Sequence, residues 1–549
     1  DDVEKLKPVR MEDALQGLPG VNMFSNGSPG SKPTVIIRGV TSYTGNDPLV
    51  IVDGINQSLD DMNSLEPSDI ESISVLKDAS TTALYGVKGG NGVIVITTKS
   101  GSRNQEAKFS FNTSYGQQSP EKTIGVLNAT EYAAILNEMS LTSGGGLIYS
   151  DLSTLGYGTD WQKEIFRIDA PIISNNISVS GGTNNSSYFL SAGFLGQEGI
   201  IHGGDKQFFD RSTFRANFDT DLSSKLNMKI SNRYTNIKDS GLGDIIFNAL
   251  NMSPTTPVYA DDGSYAISNI ITQEIKNPMA QISNSYGAGN TNSISGKFEL
   301  QYDLLKDLKI TSRLGYTYVN ITSKGFNPYQ FYGVGHNATN ANADLSPITS
   351  TDADGNITQT WNSVNESKTT YFNYTYDINA SYSFSIDDNN FNVFAGFQIA
   401  KNTGNQVSGS KVGVPFNSWT YADLSSATGP QDEESTGSFQ FVGRSVSMIA
   451  RAEYDYNEKY LASVTVRRDG STSFGQNNKF GIFPSASIGW VASNEDFFNS
   501  NAINFLKIRA SYGTVGNDNA SSQFGTITTF PKYTFGGNII TGAALDGIP

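Results

Sequence analysis

The run Lys225-Leu226-Asn227-Met228-Lys229-Ile230-Ser231-Asn232-Arg233-Tyr234 alternates polar and apolar residues. Leu226, Met228, Ile230 and Tyr234 share one face, and Lys225, Asn227, Lys229, Ser231 and Arg233 share the other. A period of two is that of an extended strand, whose side chains point alternately to opposite sides. The pattern returns where Leu308, Ile310, Leu314, Tyr316 and Tyr318 oppose Lys309, Thr311, Arg313 and Thr317. It returns again where Leu506, Ile508, Ala510 and Tyr512 oppose Lys507, Arg509, Ser511 and Gly513. Polar groups at every second position keep one face wet along the whole strand.

Outward from these runs, about thirteen strand-like stretches begin near Lys108, Ile172, Tyr188, Ser212, Leu226, Ser293, Leu308, Thr370, Phe391, Phe441, Tyr460, Gly481 and Phe505. Many exceed the roughly 5–6 residues of an ordinary globular strand. Tyr and Phe often fall near their ends. Asp221–Ser224, Leu305–Asp307 and Asp387–Asn389 are tight polar turns, whereas 120–170, 239–290, 322–367 and 402–436 are long and rich in Asn, Gly, Ser and Thr. An apolar outer band, aromatic girdles, a wet interior and loops of unequal length define a transmembrane β-barrel. A soluble β-sandwich array or solenoid also alternates, but does not require loops long on one side and short on the other. In the first long loop, Thr130 is expected to cap a helix with Tyr132, Ile135, Leu136 and Met139 on one face.

Composition narrows the function. The 549 residues include 55 Gly, 26 Tyr, 31 Phe, 4 Trp and no Cys. Disulfide scaffolds, thiol nucleophiles and Cys-based zinc sites are excluded. His202 and His336 are the only 2 histidines, so no metal and no cofactor is expected. With 38 basic and 53 acidic residues the net charge is −15, and no basic run offers a nucleic-acid footprint. No run of about 18 apolar residues marks a transmembrane helix. Asp1 opens no signal segment, as expected of a cytosolic or an already processed chain.

Residues 1–104 read as a separate small α+β domain, and 105–549 as barrel. A helix is expected at Met11–Leu18, strands at Thr34–Arg38, Pro48–Val52 and Ile70–Leu76, and a helix over Ala79–Tyr85 capped by Asp78. Val93-Ile94-Val95-Ile96 is apolar on both faces, as in a strand covered on both sides.

This domain carries a family resemblance. Ala14-Leu15-Gln16-Gly17-Leu18-Pro19-Gly20-Val21, Ile37-Arg38-Gly39, Val52-Asp53-Gly54 and Asp69-Ile70-Glu71-Ser72-Ile73 through Asp78-Ala79-Ser80 resemble the plug of TonB-dependent outer-membrane transporters. Leu84-Tyr85-Gly86 and Gly89-Gly90-Asn91-Gly92-Val93-Ile94 narrow the resemblance to the SusC/RagA branch of Bacteroidota, although Gly90 stands where Ala is expected. In the barrel, Thr159-Asp160-Trp161-Gln162, Ser178-Val179-Ser180-Gly181-Gly182, Gln197-Glu198-Gly199-Ile200 and Arg468-Asp469-Gly470-Ser471 are similar to that branch. So are Phe483-Pro484-Ser485-Ala486-Ser487-Ile488-Gly489-Trp490 and Ser511-Tyr512-Gly513-Thr514-Val515-Gly516-Asn517.

The resemblance implies a barrel of about 22 antiparallel strands with the plug in its lumen. It also implies a TonB box before Asp1 and, after Pro549, the remaining strands of a chain of roughly 855 residues, at about 34 residues per strand. Import would draw energy from the inner-membrane TonB–ExbB–ExbD complex, because the outer membrane holds neither ATP nor an ion gradient. A SusD-like surface lipoprotein would lid the barrel, with the long loops sharing the contact. The cargo would be a glycan or oligosaccharide, or a peptide. Arg38 and Glu71 are expected as a plug–barrel latch of buried ion pairs, and Ser25, Asn26, Tyr43, Asn46, Asn56 and Asp60 as ligand-facing plug-loop residues. A stand-alone TonB-dependent receptor for a smaller ligand, or a soluble β-rich interaction protein, is the alternative.

Enzymatic readings are weaker. Asp60-Asp61 and Asp261-Asp262 are adjacent in loop-like sequence and point apart if extended. No Walker loop is present, and Gly89–Gly92 lies between a helix and a strand, the wrong order for a dinucleotide site. Asp352–Asn356 reads as a solvated turn rather than a calcium loop.

Overall fold

The computed structural model describes residues 11–516 except Gly17, 25–26, 41–44, Asp244, 268–274, 329–347, 352–356, 475–478 and 499–501, together with short strands between 527 and 545. The N-terminal part begins with α1 (Met11–Leu15). β1 (Val21–Phe24) then pairs antiparallel with β2 (Thr34–Ile37). β3 (Leu49–Val52), β4 (Ile55–Gln57), β5 (Ile70–Leu76) and β6 (Val93–Thr98) form a 4-stranded sheet in the order β4-β3-β6-β5. β6 lies between a parallel and an antiparallel neighbour, and Val93, Ile94 and Ile96 are buried while Val95, on the other face from Ile94 and Ile96, is half-buried. Met11, Val35, Val50, Met62 and Ile70 close the core around it.

Two local choices shape this domain. β3 and β4 are joined by Asp53-Gly54 alone, at φ 51° and 84°. That is the left-handed pair of a type I′ hairpin turn, which Asp-Gly adopts readily. The helix expected over Ala79–Tyr85 is shorter. α2 (Ala79–Thr82) passes into a 3-10 turn, Ala83–Lys88, because Gly86 takes φ 56° and ψ −125°.

From Gln105 the chain forms a 13-stranded antiparallel wall in which sequence neighbours pair. Its strands are β7 (Gln105–Gln118), β8 (Ala170–Gly182), β9 (Ser186–Glu198), β10 (Phe208–Ser223), β11 (Leu226–Ser240), β12 (Tyr286–Leu305) and β13 (Leu308–Asn327). After a separate hairpin, β14 (Ile348–Thr351) with β15 (Ile357–Thr360), follow β16 (Ser363–Ile386), β17 (Asn389–Val412), β18 (Ser435–Tyr456), β19 (Tyr460–Ser471), β20 (Phe480–Val491) and β21 (Lys507–Gly513).

Register makes the two faces explicit. Tyr188, Phe218, Ile230, Phe298, Leu314, Tyr376, Ile399 and Val446 lie directly opposite one another on successive strands. One residue along, Asp219, Lys229, Glu299, Arg313, Asp377, Gln398, Ser447 and Asp469 form the next row. A one-residue step therefore crosses from an apolar belt to a charged one. Rings gather near the tight-turn ends, where Tyr382, Phe384, Phe391 and Tyr454 stack at centroid spacings of 5.1, 5.0 and 5.2 Å. This is the girdled outer face of a membrane barrel strand set. Among the described residues no helix is long and apolar enough to cross a membrane.

The long loops are folded. α3 (Ala129–Thr142) is capped by Asn128, not Thr130: Asn128 and Glu131 exchange side-chain hydrogen bonds with each other's backbone N–H. The Thr130 hydroxyl instead donates to the Gly156 carbonyl. Ala129, Ala133 and Asn137 form the buried side; of the expected apolar stripe Tyr132 and Leu136 are half-buried, and Ile135 and Met139 are exposed. α4 (Trp161–Ile165), α5 (Ile245–Asn251) and α6 (Pro278–Ser283) share a core of Trp161, Ile165, Ile245, Met252 and Ile282. The Trp161 indole N–H donates to the Ser253 carbonyl at 3.0 Å, tying the first long loop to the one after β11.

Candidate functional site between the plug and the wall

The N-terminal domain sits against the charged face of the wall, and the contacts are polar. On the β3–β4 turn, the Asp53 carboxylate accepts from the Thr98 N–H at 3.0 Å and the Thr98 hydroxyl at 2.7 Å, and pairs with Arg215 of β10. Arg215 is 3% exposed, so almost no solvent screens this pair. Burial pushes the Asp53 carboxyl up, but Arg215 and the Thr98 donors outweigh it, and the group titrates below its usual value.

A second pair lies four residues away along β10, on the same face. Glu66 and Arg211 meet at 2.7 Å with 5% and 2% exposure. The other Glu66 oxygen accepts from the Ser68 hydroxyl at 2.7 Å, and Arg211 also donates to the Asn63 carbonyl at 3.2 Å. Nearby, Asp69 accepts from the Ser191 hydroxyl at 2.7 Å, while its other oxygen is buried without a partner. Burial holds this carboxyl above its usual value. Arg233 reaches Gln57 at 3.2 Å, and the Thr235 hydroxyl donates to the Ser64 carbonyl at 3.0 Å.

A third anchor joins distant sequence motifs. The Asp469 carboxylate accepts the Val87 N–H at 2.9 Å and is oriented by Arg467 at 2.7 Å; Arg467 also donates to the Leu84 carbonyl. A Cβ at Gly86 would lie 1.7 Å from that carboxylate. Tyr85-Gly86 and Asp469-Gly470 are thus two halves of one contact.

The expected site residues distribute unevenly. Arg38, at φ 58°, turns to Asp78 at 2.9 Å within the plug, and reaches the wall only through the 2.6 Å pair of Asp78 with Arg509. The Asp78 carboxylate serves these two guanidinium groups. Glu71 is exposed on β5, the edge strand of the plug sheet, and makes no ion pair among the described residues. The buried wall pairs belong instead to Asp53 and Glu66. Asp53 was legible as the Asp of an Asp-Gly turn between two β runs; Glu66 carried no such signal. Ser25, Asn26 and Tyr43 lie outside the described residues, as does the 352–356 turn. Asn46 is half-buried. Asn56 and Asp60 line a cavity of about 650 Å³ between the plug and the inner face of β13, β16 and β17. On its floor Lys32 pairs with Asp47 at 2.8 Å and Asp60 at 3.2 Å. The Asp61 carboxylate accepts from the Ser58 hydroxyl at 2.8 Å. Among the described residues no group of His, Asp and Glu is arranged to hold a metal.

A compact domain bonded to the wet face of an amphipathic strand wall defines the class, a plugged transmembrane β-barrel. The family model described as TonB-dependent Receptor Plug Domain matches residues 1–93. The chain is 29% identical to the TonB-dependent receptor SusC of Bacteroides thetaiotaomicron, over 98% of this chain and 53% of that one. It is 30% identical to the TonB-dependent receptor P3 of Formosa agariphila, over 93% and 48%. It therefore spans about half the length of these curated relatives. The solved RagAB peptide transporter shares the fold, with a TM-score of 0.82 over 100% of this chain and 63% of that one at 22% identity. The chain is thus similar to TonB-dependent receptors of SusC type along almost its whole length, its first 93 residues match their plug model, and its fold is that of RagAB. The curated relatives it matches are named as TonB-dependent receptors.

Proposed function

We propose that the complete protein imports a large polar nutrient, a glycan or peptide, across the outer membrane of a Gram-negative bacterium of the Bacteroidota. The observation that carries this reading is the buried, charge-paired seating of the plug on the wall. A permanent seal needs no buried ions, because well-packed apolar residues are as stable or more so. Buried pairs suit a domain that must seat in one register and leave again when pulled. The pull would come from the TonB–ExbB–ExbD complex. Residues 1–104 act as the plug and 105–549 as part of the barrel. Asp53 and Glu66 form the main latch, with Arg38 contributing through Asp78; Glu71, exposed on its edge strand, is left out. Asn46, Asn56 and Asp60 face the ligand from the plug, and Ser25, Asn26 and Tyr43, outside the described residues, are assigned the same role from the sequence alone. A SusD-like surface lipoprotein closes over the long loops, so that a large cargo is enclosed before the plug opens.

The test is extraction of the native protein from outer membranes in mild detergent, with mass spectrometry of every co-purifying chain and small molecule. A lipoprotein of SusD type at equal stoichiometry with retained oligosaccharide or peptide supports lidded import. Recovery in detergent without a lipoprotein favours a stand-alone receptor for a smaller ligand. Recovery as a soluble chain removes the barrel reading.

A further inference from the structure

The inner face of the wall carries aromatic rings that lie beside one another in a polar surround. On the long-loop side of the plug cavity, Tyr371 of β16, Gly404 of β17 and Phe441 of β18 lie directly opposite one another. Their row has the parity of Asp377, Gln398 and Ser447, so it faces the lumen and not lipid. Two residues closer to the loops, Thr369, Gln406 and Phe439 form the next lumenal row. Ring centroids step from Tyr371 to Phe441 and from Phe441 to Phe439 at 6.4 Å each. Phe441 and Phe439 are 40% and 42% exposed. Gly404 is what makes the step continuous, since a Cβ there would meet Phe441 at 2.3 Å and Tyr371 at 2.9 Å.

We propose that Tyr371, Phe441 and Phe439 form a stacking track for a neutral oligosaccharide, leading from the mouth down to the plug cavity that Tyr371 lines. This rests on the import reading and names its cargo. The occupant follows from the chemistry of the surround. The C–H face of a pyranose covers an aromatic ring, and its hydroxyl edge needs amide and hydroxyl partners. The rows on either side supply these as Gln406, Thr369, Asn373 and Asn402. None of the three rows, from Thr369–Gln406–Phe439 to Asn373–Asn402–Gly443, holds a charged residue. A peptide with charged termini or an acidic glycan would leave its charges unpaired there. Below the track, Lys32 on the plug is paired with Asp47 and Asp60, and Lys88 and Asp61 add one charge of each sign, so carboxylates outnumber cations in the cavity lining.

The experiment uses the complete transporter in detergent, titrated calorimetrically with maltoheptaose and cellohexaose, and with hexa-alanine and hexagalacturonate as comparators. Phe441→Ala and Phe439→Ala each weaken neutral-sugar binding by roughly two- to tenfold, the worth of one aromatic contact. Phe441→Tyr, which keeps the ring, retains it. Gly404→Ala, which displaces both rings and deletes none, weakens binding as the ring deletions do. Heat-modifiable migration on gels confirms that each variant barrel is folded. The proposal is overturned if neutral sugars bind equally well to the Phe439→Ala/Phe441→Ala double variant, or if only the peptide or the acidic glycan binds. The import reading fails separately: ring-dependent sugar binding with uptake that does not need TonB would sink import and leave the track standing.

Discussion

Glu66→Gln isolates the charge of the best-buried latch. The amide retains an acceptor for Ser68 and nearly the same volume, so the loss is that of the carboxylate facing Arg211. With 2% and 5% exposure, neither partner is screened by solvent. Removing one member of such a pair leaves the other as an uncompensated buried charge, at about 3–5 kcal/mol. The retained amide places Gln at about 3 kcal/mol. Plug docking is measured in the complete transporter as the urea concentration at which the plug becomes protease-sensitive. With a slope of about 2 kcal/mol per molar urea, the midpoint falls by about 1.5 M. Replacing both partners by apolar residues, Glu66→Leu with Arg211→Met, removes the orphaned charge and returns the midpoint close to the parent value or above it. A Glu66→Gln midpoint unchanged from the parent refutes the latch. So does a double variant as weak as the single one, which would assign the loss to shape rather than charge.

Other outcomes follow from the same contacts. Gly86→Ala must accommodate a left-handed backbone and a Cβ 1.7 Å from Asp469, so the same urea assay shows the plug loosened by at least about 1–3 kcal/mol. Asp53 titrates low in the folded state, so its contribution to docking is present at neutral pH and is lost as the pH falls through that depressed value; Asp53→Asn flattens this acid limb of the docking profile. Asp69 titrates high, so its folded-state advantage exists at low pH and disappears as the pH rises through the raised value; Asp69→Asn therefore strengthens docking at neutral pH and not below the ordinary carboxyl range, read from the same midpoints. Trp161→Ala removes a side chain 3% exposed, at about 3–5 kcal/mol, and should open the loops around Ile165 and Met252 to proteolysis while plug release stays unchanged.

The wall was legible in the sequence because lipid enforces a period of two, and every expected strand start has its strand. The starts near Ser293, Thr370 and Phe441 fell short because β12, β16 and β18 begin at Tyr286, Ser363 and Ser435. There the hairpins run beyond the lipid-facing belt into the folded loops, where Tyr286, Phe326 and Val364 pack against Val414 and Trp419 and lipid no longer enforces a period of two. The plug motifs were equally visible, but not which charges would meet the wall. Asp53 and Arg215 are 162 residues apart, and Val87 and Asp469 are 382 apart. Their meeting depends on wall register, which no local pattern records. The α3 cap differs from the expected one for a smaller reason: Asn128 and Thr130 are both good capping residues, and the Thr130 hydroxyl is taken by the Gly156 carbonyl.

The order of the plug anchors along the chain has a mechanical consequence. Asp53 comes first, then Glu66 and Asp69, then Leu84 and Val87, each seated on its own part of the wall. Under the TonB-driven import proposed above, tension applied from the N-terminal side would load them one after another. The rupture force is then set by the strongest single anchor, not by their sum, and a motor with a small stroke can peel the domain in steps. A domain held as firmly by one continuous apolar patch would have to shear free all at once.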